Sequence, residues 1–225
     1  MEAKKRGLMI VFEGLDRCGK STQAKKLKSF FETISQKAEV ISFPDRSTES
    51  GKILDLFLKQ KKNLKLRASH LLFSFNRWEK AEDIISKLYN GVNIILDRYA
   101  FSGVAYSIAK GESVEWCLYP DQGLPRPDIV FQLDTDLDKI KIRDNFGEER
   151  HDNVEFLIKV KQAYCNFHNY SYWNILDASN DVDEIHNNII KLIKNLMDSY
   201  ENTDNEGNKN YYPLQIGEDL FKNKT

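Results

Sequence analysis

Gly14-Leu15-Asp16-Arg17-Cys18-Gly19-Lys20-Ser21 is the stretch whose reading decides the fold. It fits G-x-x-x-x-G-K-S. The apolar run Leu8-Met9-Ile10-Val11-Phe12 precedes it, and a helical pattern from Thr22 to Thr33 follows. A strand running through such a loop into a helix is the context that marks a phosphate-binding loop. Gly14 and Gly19 let the backbone turn sharply and bring its N–H groups against phosphate oxygens. The following helix turns its positive end to the same anion. Lys20 is expected to hold the β- and γ-phosphates, and the Ser21 hydroxyl to ligate Mg²⁺. These residues predict a nucleoside triphosphate site and leave open which reaction it serves.

Outward from the loop, apolar strands alternate with helical patterns. Strands are expected at Leu8–Phe12, Glu39–Phe43, Val92–Leu96, Asp128–Leu133 and Trp173–Leu176. Helices are expected at Ser50–Lys59, Arg67–Tyr89, from after Asp97-Arg98-Tyr99 to Lys110, Asp136–Arg143, Asn153–Tyr170 and Val182–Tyr200. Strands apolar throughout, separated by helices, argue a five-stranded parallel sheet flanked by helices on both faces: an α/β fold of the P-loop NTPase kind. Ligands of such folds sit at the carboxyl ends of the strands. The expected organisation is one domain over residues 1–200. Residues 201–225 form a polar, partly flexible tail, in which Pro213 to Phe221 regains enough apolar character to dock back.

Composition sets limits. The 225 residues carry 33 Lys and Arg against 34 Asp and Glu, a net charge of −1, so no global field favours nucleic acid or an anionic membrane. The basic run Lys59-Gln60-Lys61-Lys62-Asn63-Leu64-Lys65 reads as a solvated face. Cys18, Cys117 and Cys165 are odd in number and scattered, which suggests neither a zinc site nor a disulfide framework. With no address or spanning segment visible, a cytoplasmic location is the expectation.

A bare phosphate loop does not separate a kinase from a hydrolase or a switch; a second anion site does. Asp45-Arg46 falls where the second strand ends, and Asp97-Arg98 where the third ends. With strands one and three adjacent, these groups converge on the loop. Arg46 and Arg98 can each form bidentate bonds to phosphate oxygens. Asp97 has the placement of a carboxylate serving Mg²⁺ or its water. One loop for a phosphate chain and further arginines for another suit phosphoryl transfer between two nucleotides.

Five stretches carry a resemblance. They are Glu13 to Gln23; Phe43-Pro44-Asp45-Arg46-Ser47-Thr48-Glu49; His70-Leu71-Leu72-Phe73-Ser74-Phe75-Asn76-Arg77-Trp78-Glu79; Asp97 to Tyr106; and Gly123-Leu124-Pro125-Arg126-Pro127-Asp128. They resemble thymidylate kinase of the eukaryotic type, from about Gly7 to Ile193. The resemblance implies a homodimeric, Mg²⁺-dependent enzyme moving the γ-phosphoryl of ATP to dTMP. It implies Phe73 stacked on thymine and Arg77 bonded to its O4; the two are four apart and share a helix face. By the same resemblance, Tyr106 crowds the sugar's 2′ position and Asp16 meets the 3′-hydroxyl. Ser102 lies near the base edge, with Gly103 beside it, and Arg46 and Arg98 take the acceptor's phosphate.

On the donor side the resemblance implies Gly14, Arg17, Cys18, Gly19, Lys20, Ser21, Thr22, Arg143 and Ser179 around ATP. Ser21 and Asp97 are the implied metal ligands. Arg17, Lys20, Asp97 and Arg98 are the implied catalytic set, with Arg17 an arginine finger in cis. The lid is expected over residues 143–152, closing to exclude water. Two residues depart from the pattern. His151 stands where a lid tyrosine is common. Cys18 stands where a small residue is usual, and the nearby helix start and Lys20 lead one to expect a reactive thiolate there, protected by ATP.

The nearest rival is a deoxynucleoside kinase on the same frame. A GTPase switch would want Asn-Lys-x-Asp; the nearest string, Asn208-Lys209-Asn210-Tyr211, lacks the Asp.

Overall fold

The computed structural model describes residues 6–138, 153–201 and 220–221. Five strands, β1 (Met9–Gly14), β2 (Ala38–Ser42), β3 (Asn93–Asp97), β4 (Ile129–Asp134) and β5 (Trp173–Asp177), form one sheet in the order β2-β3-β1-β4-β5. Every pairing is parallel. The expected strands fall within a residue or two of these bounds. β1 lies beside β3 with Phe12 opposite Asp97, so the loops leaving both strands open at the same edge.

Parallel strands need crossovers long enough to hold a helix. Those described here are α1 (Lys20–Thr33), α2 (Glu49–Leu58), α3 (Leu66–Tyr89), α4 (Ala100–Ile108), α5 (Val114–Leu118), α6 (Val154–Tyr164) and α7 (Val182–Glu201). The alternation of side chains along each strand divides them between two cores. Ile10, Phe12, Ile95 and Phe131 pack with Leu27 and Phe31 of α1 and Ile189 and Ile193 of α7. Met9, Val11, Leu96 and Val130 pack with Ile84 and Leu88 of α3, Val104 of α4 and Leu157 and Val160 of α6. The three central strands β1, β3 and β4 are therefore buried on both faces, while the edge strands β2 and β5 keep exposed residues such as Ser42 and Ile175.

Some element ends differ from the sequence reading. The helix after β3 stops at Ile108, and α5 with a 3-10 turn at Tyr119–Asp121 follows it. The helical run read as Asn153–Tyr170 ends at Tyr164 and continues as a 3-10 turn, Cys165–Phe167. No glycine or proline marks that break. Its cause is tertiary: Phe167 turns into a cluster with Phe101 and Trp173, at 5.1 and 5.4 Å between ring centroids. The same cluster receives Phe221, whose ring meets Phe101 at 5.6 Å. Tyr172 donates its hydroxyl proton to the Leu220 carbonyl at 2.5 Å. These last two residues do dock back on the domain. The helix read over Asp136–Arg143 lies mostly outside the described residues, as does most of the tail.

His70 ties three helices together. Its Nδ1 lies 2.7 Å from Ser107 Oγ on α4 and its Nε2 3.0 Å from the Cys117 carbonyl on α5. A carbonyl only accepts, so Nε2 carries the proton and Nδ1 accepts from Ser107. Burial, and then the charge of Arg77, push the pKa of His70 below its ordinary 6.5, against an opposing pull from Asp121. The sign follows from linkage. Below about pH 6.5 the unfolded chain takes up a proton that folded His70 resists, so stability falls with pH there and is intact above it. In urea titrations, the loss of stability between about pH 6.5 and pH 5 should be shallower for His70→Gln than for the parent. Equal slopes would exclude His70 as a source of that loss.

Candidate active site

β1 ends at Gly14, whose φ is 129°. A Cβ added there would sit 2.4 Å from the Leu133 carbonyl oxygen, so only glycine lets the chain turn against β4. Gly19, at φ 101°, opens α1. No side chain caps α1, whereas Thr48, Ser113 and Asn153 cap α2, α5 and α6. The first N–H groups of α1 thus stay open toward the loop, which is the condition for anion binding at a helix start. Lys20 is folded under the loop, its Nζ 2.6 Å from the Leu15 carbonyl. The Ser21 hydroxyl donates directly to Asp97 Oδ2, bringing the two expected metal ligands together from α1 and β3. Asp16, Arg17, Gly19, Lys20, Ser21, Thr22, Arg46, Asp97 and Arg98 all line one cleft over this loop.

Cys18 corrects an expectation. Its side chain is 2% exposed and packs among Phe12, Ala24 and Leu133. Lys20 Nζ lies 3.7 Å from its sulfur. The thiol faces the core rather than the cleft, so a reagent reaches it only when the loop opens. Cys18 can meet a phosphate only through its backbone N–H.

Arg98 is the hub of the cleft. Its Nη1 donates to the Gly14 carbonyl and to Ser102 Oγ, both at 2.9 Å, and its Nη2 to Asp16 Oδ1 at 2.6 Å. A guanidinium has five N–H donors. Described residues take three, and Nε–H and one Nη2–H have no described acceptor. Asp16 also accepts from the Tyr106 hydroxyl at 3.1 Å. Burial alone would raise the pKa of Asp16. Arg98 first and Lys20 next outweigh it and hold the carboxyl well below the usual carboxylate range. Asp16 is therefore an anion at any working pH.

Beneath Arg98 lies Glu13, fully buried. It accepts from the Tyr99 N–H at 2.9 Å, the Ser102 N–H at 3.1 Å, the Tyr164 hydroxyl at 3.0 Å and the Ser102 hydroxyl. Burial pushes its pKa up, while those donors and Arg98 pull it back. Glu13 fixes the start of α4 and so the angle at which Arg98 leaves β3. Ser102 lines the second cleft described next, with its hydroxyl turned inward to Glu13.

A second cleft adjoins the first. Phe73, Arg77, Ser102, Gly103 and Tyr106 line it, and it shares Asp16, Phe43, Pro44, Arg46 and Arg98 with the loop cleft. Phe73 is partly buried and meets Phe57 edge to face, at 6.4 Å between ring centroids. Arg77 is held behind it by Asp121, through Nε at 2.9 Å and Nη2 at 2.6 Å. Arg98 lies over the face of Tyr106 at 5.6 Å, and Asp16 together with this stacking sets the phenol's direction.

Arg46 reaches both clefts from the loop after β2 and pairs with Asp55 at 2.8 Å. That loop is shaped by Asn76, which is fully buried in α3. Asn76 accepts from the Asp45 N–H at 2.7 Å and donates to the Asp45 carbonyl, Thr48 Oγ1 and Ser50 Oγ. Sequence reasoning missed Asn76, Glu13 and Asp121 as site residues. The first two sat inside the quoted motifs without an assigned role. Ser179, which follows β5, donates its N–H to Asp177 Oδ1 at 2.8 Å. Arg143, His151 and the expected lid at 143–152 lie outside the described residues.

A family profile described as thymidylate kinase matches residues 12–189. The chain is 44% identical over 189 residues to thymidylate kinase of Dictyostelium discoideum, covering 84% of this chain and 85% of that one. It is 42% identical over 190 residues to human thymidylate kinase, covering 83% and 90%. Among solved structures, thymidylate kinase from Candida albicans superimposes with a TM-score of 0.79 at 37% identity, over 85% of this chain and 93% of that one.

Replacing Asn76 by Ala leaves the part-buried Asp45 N–H without its acceptor, while the Asp45 carbonyl keeps Thr48 as donor. Such a loss costs about 1–3 kcal/mol, so Asn76→Ala should lower stability by at least that much in a denaturant titration. An unchanged midpoint would show that the loop holds its shape without Asn76.

Proposed function

The chain belongs to the thymidylate kinase family, and from that footing we propose how its residues divide the work of moving the γ-phosphoryl of ATP to dTMP. The observation that carries the proposal is the common wall of the two clefts. Asp16, Arg46 and Arg98 border both the loop cleft and the cleft of Phe73 and Arg77. Two nucleotides seated there would meet phosphate to phosphate, with the arginines at the junction.

On the donor side, the N–H groups at the start of α1 and the Lys20 ammonium would receive the ATP phosphates. Arg17 leaves the loop in left-handed backbone, at φ 64°, and lines the same cleft. There it would place its guanidinium against the migrating group and stabilise the charge that builds up in transfer. Ser21 and Asp97 present hard oxygen donors in contact with each other, the chemistry Mg²⁺ requires. Magnesium held there would neutralise phosphate charge. Ser179 and Arg143 are assigned to the nucleoside end of ATP, and residues 143–152 to the lid.

On the acceptor side, the ring of Phe73 would take the face of thymine and Arg77 its O4. Asp16, held ionised by Arg98, would accept from the sugar's 3′-hydroxyl. Tyr106 would close the space beside the 2′ carbon, where a ribose hydroxyl would stand. Arg46 and the two unused donors of Arg98 would grip the phosphate. Ser102 would serve this side as a prop for Arg98, and Gly103 by leaving room.

The enzyme is proposed to work as a homodimer in the cytoplasm. Leu71, Phe75 and Trp78 recur at helical spacing on α3 and are exposed, an apolar stripe suited to a second copy of the same helix. No described helix is long and apolar enough to cross a membrane. Phe75→Glu should shift the protein toward monomer in analytical ultracentrifugation; an unaltered dimer would place the interface elsewhere.

The activity is tested by coupled ADP release with ATP and Mg²⁺. Turnover is expected with dTMP, and none with free thymidine; the reverse pattern would make this a nucleoside kinase. Loss of one transition-state donor is worth roughly 3 kcal/mol, so Arg17→Gly should lower kcat about a hundredfold with a much smaller change in KM. An unchanged kcat would remove Arg17 from the mechanism.

A further inference from the structure

Asp121 lies in the 3-10 turn Tyr119–Asp121, just outside the motifs quoted above, and is 0% exposed. A carboxylate this deep is costly unless fully paired. Its Oδ1 accepts from Ser74 Oγ at 2.8 Å and from Arg77 Nε at 2.9 Å, and its Oδ2 from Arg77 Nη2 at 2.6 Å. The turn that carries it is pinned to α3, because the Pro120 carbonyl accepts from Ser74 Oγ and from Trp78 Nε1. Arg77 itself is 2% exposed. The pair is therefore rigid from both ends.

The other side of the guanidinium is bounded by α4. A Cβ on Gly103 would come within 2.9 Å of Arg77 Nη2 and 3.2 Å of Nη1. Only a glycine lets the guanidinium lie this close to the helix backbone. Nε–H and one N–H of Nη2 are spent on Asp121. Nη1 and the second N–H of Nη2 donate to no described residue, and both nitrogens lie at Gly103, which lines the same cleft as Phe73.

We propose that Asp121 is a specificity-determining positioning residue, which turns Arg77 so that only N–H donors, those of Nη1 and the second of Nη2, face the base. An immobilised guanidinium nitrogen offers hydrogens and can accept none. A pyrimidine with a carbonyl at C4 completes its bonding. One with an amino group at C4 sets donor against donor and leaves both unpaired in a dry site. Asp121 touches no substrate; it acts by denying Arg77 the freedom to swing aside and admit a water or a different base. The inference rests on the reading above that Arg77 meets the base.

The test compares dTMP with dCMP as acceptors, using the full enzyme. Asp121→Asn removes the charge and puts an amide N–H against a guanidinium N–H. Asp121→Glu keeps the charge, and with it the fold, but displaces the guanidinium by a methylene. A polar contact of this kind discriminates strongly, so for either folded variant KM for dTMP should rise about tenfold or more, and the dTMP-to-dCMP ratio of kcat/KM should fall about tenfold or more. Over the same comparison kcat with dTMP should stay within about threefold, because the contact is made equally in ground and transition states. A folded variant with the parental KM and the parental ratio overturns the proposal. Failure of both variants to fold also overturns it, since Asp121 would then serve stability alone. Arg77→Met separates the two levels: if it leaves KM for dTMP unchanged, the placement of the base is wrong; if it raises KM while the Asp121 variants do not, only the role of Asp121 is lost.

Discussion

The ion pair between Asp16 and Arg98, closed at 2.6 Å across the mouth of the sheet, sets the geometry on which the site depends. Asp16 rides on the loop after β1 and Arg98 leaves β3. They can meet only because the strand order places β3 directly beside β1. The same neighbourhood brings Ser21 against Asp97. One topological fact thus fixes a cation on the wall between the two clefts and a hydroxyl–carboxylate pair in the loop cleft. An insertion that shifted β3 by one residue would turn Asp97 to the opposite face and break both contacts.

Arg98 and Asp16 are largely withdrawn from water, and buried charges need complete company. Glu13 supplies it from below by ordering Ser102, Tyr99 and Tyr164. Tyr106 supplies it from the side. Each carboxylate and hydroxyl in this group has a partner, and the clefts are lined by donors that no described residue takes: two of Arg98, those of Arg77 Nη1 with one of Nη2, and the opening turn of α1. Recognition here is a matter of which hydrogens the protein's own bonding has not consumed.

The fold was legible because its signals are local. An unbroken apolar strand, a glycine loop and an amphipathic helix are each read within about fifteen residues. Asp97, Arg98 and Arg46 were legible for a related reason: residues at strand ends must gather at one edge of a parallel sheet. Asp121 was not, since nothing in Tyr119-Pro120-Asp121 tells of an arginine 44 residues earlier. Asn76 and Glu13 lay within recognised motifs, but their work is done across 31 and 86 residues of chain, with partners that only the packed helices reveal. Cys18 misled for the opposite reason. Its neighbours in sequence are those of a reactive thiol, and the turn at Gly19 points it into the core.

Arg17 and Arg98 both sit in left-handed backbone, at φ 64° and 71°. For a residue with a Cβ, that conformation costs about 1–2 kcal/mol, and glycine or asparagine would be at ease there. The loop and the turn after β3 are thus held open by side chains that strain the very segments carrying them. Evolution in the laboratory toward heat tolerance, with no demand for turnover, would drift to glycine or asparagine at these two positions. On the roles proposed for them, these two arginines trade backbone ease for charge at the cleft.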